Sequence, residues 1–230
     1  MKKDAIILCG GLGTRFRSVS SAKPKALAEI KGKPIIEILT DQLVVQGIER
    51  IVLCVGYLSN QVIDYYKSKE DAEYIFSIEE MPLGTGGALF NAYNHIKSDY
   101  FYALNGDSFC NVDFKNLDKF HEEKKSFFSL VGSEIKDASD YGAISLGEDK
   151  QMLNFREKSK SGNSIINAGI YLLPRIIFQS VSGEFPISLE KDIFPDLIKR
   201  EKCYAYVVPS EVIDIGTKDR YEKAQEKIIF

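Results

Sequence analysis

Short apolar runs alternate with helical patterns over the first hundred residues. The runs are rich in β-branched residues and predict buried strands over 5–9, 51–55, 74–78 and 100–104. Helices are predicted between them, over 34–46, 59–69 and 87–96. In the first of these, Ile35, Ile36, Leu39 and Leu43 recur at helical spacing, with Pro34 suited to the first helical turn. Alternating strands and helices predict a parallel sheet covered on both faces.

The rhythm changes after residue 107. Apolar runs over 127–131, 143–146, 153–157, 166–173 and 204–208 follow one another with fewer helices between them. No repeat or Pro-rich linker divides the chain, and the stretch 158–163 is expected to be a surface loop. The sequence therefore predicts one α/β domain over 1–230, with a mixed, mostly parallel sheet in which the second half extends the sheet of the first.

Composition excludes several classes of protein. The 230 residues are 44% apolar and 27% charged, with 30 Lys+Arg against 33 Asp+Glu and a net charge of −3. This is the profile of a globular protein, and it argues against disorder, a coiled coil or a basic nucleic-acid-binding domain. No apolar run is long enough for a membrane helix, and the run over 5–9 is too short for a signal peptide. A cytoplasmic protein is expected.

The cysteines predict neither a zinc site nor a disulfide framework. Cys9, Cys54, Cys110 and Cys203 are scattered without a Cys-x-x-Cys pair, and the chain has only two histidines. Reduced and mostly buried thiols are expected.

A glycine-rich loop, Gly-Gly-Leu-Gly-Thr-Arg over 10–15, follows the first predicted strand. Its glycines allow backbone N–H groups to face an anion, and Arg15 closes the loop. A dinucleotide fingerprint would need glycine where Phe16 stands, and the Gly-Lys-Ser/Thr of a P-loop is absent. The loop indicates a phosphate site of another kind, the alternative being a tight turn with a surface arginine.

A second cation follows in Lys23-Pro24-Lys25. Pro24 stiffens the segment and presents Lys25, so this lysine can converge with Arg15 on one anion. Two cations and a loop of amides predict a triphosphate site, although Lys-Pro-Lys taken alone is more often a solvated loop.

Two aspartates follow apolar runs and are candidates for Mg²⁺ ligands. Asp107 ends Asn-Gly-Asp after the strand predicted over 100–104, where open α/β sheets bind their ligands. Asp214 follows Val212 and Ile213, before a predicted C-terminal helix. Mg²⁺ commonly takes one or two carboxylates together with phosphate oxygens and water. The alternative for Asp107 is a metal-free turn.

Four further motifs lie between these aspartates or just before them. The glycine-rich stretch over 82–87 is predicted to be a strand-to-helix loop, with space for a flat base against its backbone. The other three motifs are Tyr141-Gly142, Glu157-Lys158 and Asn167-Ala168-Gly169. Taken one at a time, they are also explained as a turn, a loop cation and a strand-end cap, respectively.

Taken in order, these motifs resemble the sugar-1-phosphate nucleotidylyltransferase family over nearly the whole chain. The resemblance implies a Rossmann-like fold that joins a nucleoside triphosphate and a sugar 1-phosphate, with Mg²⁺, to give a nucleotide sugar and pyrophosphate. The sequences over 80–87 and 105–109 are most similar to those of bacterial D-glycero-D-manno-heptose 1-phosphate guanylyltransferases, which implies a role in surface polysaccharide synthesis. The family resemblance also implies a nucleotide-binding half to about residue 110 and a sugar-phosphate-binding half after it.

The resemblance also assigns roles to single residues. It implies catalytic roles for Arg15, Lys25, Asp107 and Lys158, and Mg²⁺ binding by Asp107 and Asp214. Contacts to the sugar phosphate are implied for Asn105, Tyr141, Gly142, Glu157, Lys158, Asn167 and Gly169. Contacts to the nucleotide are implied for Leu8, Gly10, Gly11, Gly13, Thr14, Arg15, Lys25, Pro82, Gly84, Thr85, Gly86, Gly87 and Asp107.

Several alternatives remain open at this point. Guanine is expected through resemblance alone, with uracil, thymine and cytosine as alternatives. The expected sugar is heptose, and the alternatives in order of preference are mannose and then glucose or an amino sugar. Two competing hypotheses are a cytidylyltransferase acting on a polyol or choline phosphate and a non-catalytic nucleotide-sugar sensor. A dehydrogenase is disfavoured by Phe16 and by Val55-Gly56-Tyr57, where an acidic residue would be needed. The apolar tail 228–230 suits packing either on its own domain or on a second subunit, and a homodimer is expected.

Overall fold

One large sheet organises the chain in the computed structural model, which describes residues 3–11, 13, 16, 22–135, 143–156, 164–180 and 183–227. The helices are α1 Ile35–Val45, α2 Ser59–Tyr66, α3 Gly84–Asn91, α4 Phe114–Lys124, α5 Phe194–Arg200 and α6 Lys218–Lys227, with a π-helical turn at Leu189–Ile193 before α5. The strands are β1 Ala5–Leu8, β2 Glu29–Ile30, β3 Lys33–Pro34, β4 Arg50–Val55, β5 Glu73–Ile78, β6 Tyr100–Asn105, β7 Ser108–Phe109, β8 Ser129–Ile135, β9 Ala143–Leu146, β10 Met152–Arg156, β11 Ser164–Pro174, β12 Tyr204–Val208 and β13 Ile213–Asp214.

The large sheet is mixed and mostly parallel, as predicted. Its main path runs β10-β9-β11-β6-β1-β4-β5, and β8 pairs with β11 and with β12. Strands β6, β1, β4 and β5 form the parallel block that the βα alternation predicts. Of the nine strands that the described residues contribute to this sheet, only β10 and β11 run against the rest.

Strand β11 joins the two halves of the sheet. Its first part pairs with β9 and its last part pairs with β6, while β8 lies along its other edge throughout. The register with β8 shifts between Asn167 and Tyr171, where Gly169 has a φ of +73°. This bend lets one strand exchange its neighbour from β9 to β6, and it lies beside the carboxyl end of β6.

The two faces of the sheet bury separate sets of apolar side chains. Alternate strand residues such as Ile7 and Leu53 pack with α1, α2 and α4, whereas Ile6 and Val52 pack with α3 and α5. This alternation is the period-two pattern of a strand covered on both sides. No helix within the described ranges is long and apolar enough to cross a membrane.

The boundaries of several predicted elements differ from those observed. Helix α1 begins at Ile35 with Pro34 at its N-cap, because Pro34 already belongs to β3. Helix α2 ends at Tyr66, three residues early, and β8 lies over Ser129–Ile135 instead of 127–131. The largest difference concerns α3: the prediction of a loop over 82–87 followed by a helix over 87–96 is wrong, since the helix begins at Gly84 and ends at Asn91.

A small two-stranded ribbon brings the end of the chain to the sheet. Strand β13 pairs with β7, with Asp214 opposite Ser108, and the N–H of Ile215 donates to the carbonyl of Asp107 at 3.0 Å. Ile215 is fully buried in a third apolar cluster with Phe16 and with residues of α1 and α6. The ribbon therefore fixes residues 213–216 next to the turn that follows β6.

Candidate active site

Two adjoining cavities open at the carboxyl ends of β1 and β6. One has a volume of about 200 Å³ and the other about 380 Å³. Leu8, Gly11 and Asp107 line both. The position agrees with the rule that open α/β sheets bind ligands at the carboxyl ends of their strands.

Lys25 and Asp107 form an ion pair in the smaller cavity. The Nζ atom of Lys25 lies 2.5 Å from Oδ2 of Asp107. The lysine side chain is only 14% exposed and the aspartate is 47% exposed. The remaining lining includes Gly11, Gly13 and Gly216, so backbone and two charged groups face the space. Lys25 thus lies beside Gly11 and Gly13 of the glycine-rich loop, whereas Arg15, with which it is predicted to share an anion, lies outside the described residues.

Asp214 lies in the same charged cluster. Arg220 donates to both of its carboxylate oxygens, at 3.1 and 2.9 Å, and the N–H of Gly216 donates to Oδ1 at 2.8 Å. A Cβ atom added to Gly216 would lie 3.0 Å from Oδ1 of Asp214 and 3.9 Å from Nζ of Lys25. Asp214, Lys25 and Arg220 therefore lie beside Gly216, and Lys25 links this group to Asp107.

The donor set of this cluster fits a magnesium ion. Two carboxylates supply hard oxygen ligands, and Mg²⁺ usually completes its shell with phosphate oxygens and water. No group of three or more His, Cys, Asp or Glu side chains gathers within the described ranges, so phosphate oxygens and water would have to complete the shell. In this structure Lys25 and Arg220 neutralise the two carboxylates.

The larger cavity borders the first turn of α3. Its lining includes Pro82, Gly84 and Thr85. Gly84 has a φ of +75°, and a Cβ atom there would lie 2.4 Å from the carbonyl oxygen of Ile187, so only glycine fits. The N–H groups of Gly86 and Gly87 donate to this same carbonyl, at 2.8 and 3.3 Å. The stretch thus divides: its first part faces the cavity, whereas Gly86 and Gly87 pack away from it.

Glu79 faces the larger cavity and was missed by the sequence analysis. Its carboxylate accepts the N–H of Leu83, and burial raises its pKa. A Cβ atom on Gly10 would lie 2.3 Å from Oε1 of Glu79, so the absence of a side chain at Gly10 makes room for the carboxylate. The cavity therefore has a half-buried acidic group on its wall. The signal in the sequence was an acidic residue directly after a strand.

Three of the residues expected to contact the sugar phosphate, Asn105, Asn167 and Gly169, meet at the bend of β11. Asn167 accepts the N–H of Gly169 at 2.9 Å and donates to the hydroxyl of Tyr171 at 2.7 Å. Gly169 packs on the side chain of Asn105, because an added Cβ atom would lie 2.7 Å from its Nδ2. The Oδ1 atom of Asn105 is buried without a hydrogen-bond partner among the described residues. Asn105 also lines the larger cavity.

Cys9 borders the smaller cavity but is a poor nucleophile. Burial, followed by the nearby charge of Glu79, raises the pKa of its thiol. The thiol donates to the carbonyl of Cys54 at 3.0 Å. Because the thiolate is the reactive form, this cysteine stays protonated and unreactive near neutral pH.

Six of the expected site residues lie outside the described residues. Sequence patterns also missed Arg220 and Tyr171, which carry no motif of their own because their positions depend on long-range packing. The six outside are Thr14, Arg15, Tyr141, Gly142, Glu157 and Lys158.

Residues 4–229 match the family model described as nucleotidyl transferase. The chain is 33% identical over 226 residues to a D-glycero-alpha-D-manno-heptose 1-phosphate guanylyltransferase of Aneurinibacillus thermoaerophilus, with 98% of each chain covered. It is 36% identical over 219 residues to a protein of that name from Campylobacter jejuni, covering 95% of this chain and 96% of the relative. The crystal structure of HddC from Yersinia pseudotuberculosis complexed with GMP-PN is similar, with a TM-score of 0.86 and 35% identity over 98% of this chain and 99% of that one.

Proposed function

Because the chain belongs to the sugar-phosphate nucleotidyltransferase family, we propose that it transfers GMP from GTP to D-glycero-D-manno-heptose 1-phosphate. The products are GDP-heptose and pyrophosphate. Support for the heptose comes from the two relatives of that name, which align over nearly their whole length. Support for guanine comes from these relatives and from the carboxylate of Glu79.

The observation that carries the choice of guanine is the chemistry of Glu79. A carboxylate only accepts hydrogen bonds, and it can accept two side by side. Guanine presents two adjacent donors on its pairing edge, N1–H and the N2 amino group. Uracil and thymine present one donor between two carbonyl oxygens, which a carboxylate would repel. Glu79 therefore complements guanine better than uracil or thymine when the base lies in the larger cavity, against Gly10 and Gly84.

The reaction itself needs cations more than a base. The attacking oxygen of the sugar phosphate is already an anion, so no proton must be removed as its bond to the α-phosphorus forms. The bond from that phosphorus to the bridging oxygen breaks, and its electron pair leaves with pyrophosphate. Lys25 would neutralise charge on the triphosphate. Arg15 and Lys158 are the further cations that the resemblance assigns to the triphosphate and the sugar phosphate.

Asp107 and Asp214 would hold Mg²⁺. When bound, such an ion offsets the repulsion between the two polyanionic substrates and orients the triphosphate. In its presence Lys25 and Arg220 would give up part of their contact with the carboxylates. Lys25 would then face a triphosphate bound in the smaller cavity, which Gly11 and Gly13 also line.

The test is pyrophosphate release with Mg²⁺, each of four nucleoside triphosphates, and the 1-phosphates of heptose, mannose, glucose and glucosamine. Turnover of GTP with heptose 1-phosphate is the expected result. Turnover with another triphosphate alone would overturn the choice of guanine, and turnover with another sugar alone would overturn the choice of heptose. Silence in every combination would contradict the proposed activity.

A pair of substitutions tests the role of Glu79. Glu79→Gln replaces two acceptors by one acceptor and one donor, which suits uracil better than guanine. Loss of one charge-assisted hydrogen bond of about 1.5–3 kcal/mol predicts a fall of roughly 10- to 100-fold in kcat/KM for GTP relative to UTP. Glu80→Gln makes the same change at an exposed neighbouring residue and serves as the control. An unchanged GTP-to-UTP ratio in Glu79→Gln would remove Glu79 from base recognition.

A further inference from the structure

The carboxylate of Glu190 collects three hydroxyl donors from three separate segments. Its Oε1 accepts the hydroxyl of Tyr171 at 3.0 Å. Its Oε2 accepts the hydroxyls of Thr85 at 2.8 Å and Ser188 at 2.9 Å. Thr85 and Tyr171 lie 105 and 19 positions away in sequence, so these contacts join distant parts of the fold. Hydrogen bonds to a charged acceptor are about twice as strong as neutral ones.

One arm of this network reaches the nucleotide side of the site. Thr85 lies in the first turn of α3 and lines the larger cavity. Its Oγ1 donates to Glu190 and accepts the N–H of Leu189 at 2.8 Å. The hydroxyl is therefore engaged within the protein, and its contacts fix the start of α3 to the π-helical turn.

The other arm reaches the bend of β11. Tyr171 donates to Glu190 and accepts from Asn167 at 2.7 Å, and the side chain of Asn105 also bonds to the Tyr171 hydroxyl. Burial, followed by the charge of Glu190, raises the pKa of Tyr171, so this hydroxyl keeps the proton that it donates. Asn105 and Asn167 are the residues expected to contact the sugar phosphate.

The π-helical turn does not need Glu190 as a cap. The hydroxyl of Ser188 already accepts the N–H of Lys191 at 3.3 Å, and Asp192 accepts the N–H of Ser188 at 2.7 Å. These contacts cap the turn locally. The carboxylate of Glu190 instead accepts hydrogen bonds from Thr85 of α3 and Tyr171 of β11.

We propose that Glu190 is a positioning residue that fixes the start of α3 relative to the bend of β11, and so holds the two substrates in register for in-line attack. It touches neither substrate. The proposal rests on the proposed function, which assigns the nucleotide to the side of α3 and the sugar phosphate to the side of β11. Displacement of reacting groups by about 1 Å is enough to cost roughly 100-fold in rate.

Steady-state kinetics with the pair of substrates that the wild type turns over provide the first test. Tyr171→Phe should raise KM for the sugar phosphate about 10-fold and leave that for the triphosphate unchanged, and Thr85→Val should do the reverse. Glu190→Gln should raise both Michaelis constants, because the amide N–H₂ of glutamine is itself a donor and would face hydroxyl donors. Thr85→Ser retains the hydroxyl that Glu190 accepts, so its KM for the triphosphate should be lower than that of Thr85→Val. Asp196→Asn, which breaks an exposed ion pair with Arg200 on α5, is the control.

Two results would overturn the proposal. One is a folded Glu190→Gln enzyme with kcat and both Michaelis constants unchanged. The other is an additive effect of two substitutions. If Tyr171→Phe and Glu190→Gln act through the same hydrogen bond, adding Tyr171→Phe to Glu190→Gln should raise KM less than twofold further, and a larger increase would contradict the proposal.

Hydrogen–deuterium exchange separates this proposal from the proposed function, because it needs no substrate. In Glu190→Gln, exchange should rise at least fivefold in peptides covering both 84–92 and 164–174. A rise confined to 188–194 would mean that Glu190 only stabilises its own turn. If the wild type turned over no substrate pair, the exchange result would still decide whether Glu190 couples α3 to β11.

Discussion

Replacement of Lys25 by alanine tests the electrostatic account of the site most directly. The Lys25 side chain is 14% exposed, so its charge is poorly screened where it faces the smaller cavity. A unit charge about 4 Å from a phosphate oxygen contributes about 4 kcal/mol at an effective dielectric constant near 20. About 1.4 kcal/mol corresponds to a factor of ten in rate. Allowing for residual stabilisation by neighbouring donors, Lys25→Ala should lower kcat about 100- to 1,000-fold.

Stability should change little in the same variant. Asp107, the partner of Lys25, is 47% exposed, so water can solvate its carboxylate once the lysine is gone. Loss of the pair should therefore cost about 1 kcal/mol, near the value of a surface ion pair, because the group left behind is the half-exposed one. Lys23→Ala is the matched control, because Lys23 lies on the other side of Pro24, is 55% exposed and pairs only with Glu29 among the described residues.

The assay is pyrophosphate release under saturating substrates and Mg²⁺, together with thermal unfolding of each variant. Lys23→Ala should keep wild-type turnover within about twofold, as expected of an exposed charge away from the site. Retention of more than a tenth of wild-type kcat by folded Lys25→Ala would refute the argument that this charge stabilises the departing pyrophosphate.

Three further predictions concern metal binding, backbone strain and pH. Asp107→Asn keeps the shape of the side chain but removes its charge, so kcat should fall at least ~100-fold and half-maximal rate should need more Mg²⁺; an unchanged Mg²⁺ dependence would argue against its role as a ligand. Gly84→Ala should destabilise the protein by about 2–4 kcal/mol in urea unfolding, against about 1 kcal/mol for Gly32→Ala, because both have positive φ but only Gly84 meets a backbone carbonyl. Burial lowers the pKa of His121 to about 4, below the value of about 6.5 for an unfolded chain. Unfolding therefore takes up a proton between these values, and stability should fall by up to about 2 kcal/mol from pH 7 to pH 5. His121→Gln should flatten this slope and His95→Gln should not.

The strands of the parallel block could be predicted because their signal is local. Continuous β-branched runs bounded by turn residues specify buried strands whatever their neighbours. The same local signal predicted the exact bounds of β9 and β12, which lie outside this block. The start of α3 could not be predicted in this way. Glycines at 84, 86 and 87 favour a loop by propensity, but the carbonyl of Ile187 accepts two of their amides and fixes them in a helix. That partner lies a hundred residues away.

The candidate site was predicted unevenly for the same reason. Lys25, Asp107 and Asp214 follow motifs or strand ends; the structure pairs Lys25 with Asp107 and places Lys25 and Asp214 beside Gly216. Glu79 follows a strand end outside any motif and Glu190 has no such signal, and each acquires its place only when separate segments pack against one another. Sequence patterns thus indicated the charged centre of the site, whereas the residues that shape its walls required the fold.

The exchange of neighbours along β11 has a consequence for synthesis of the protein on the ribosome. Strand β6 pairs with residues 170–174 of β11, which lie more than 60 positions further along the chain. At ~5–20 residues per second, the nascent chain waits roughly 3–15 s between emergence of the two strands. During this interval the first half of the chain presents β6 as an open strand edge, which is a template for wrong pairing. A chaperone that covers this edge, or slow translation at low temperature that prolongs its exposure, would decide the yield of folded protein more than the stability of the finished sheet.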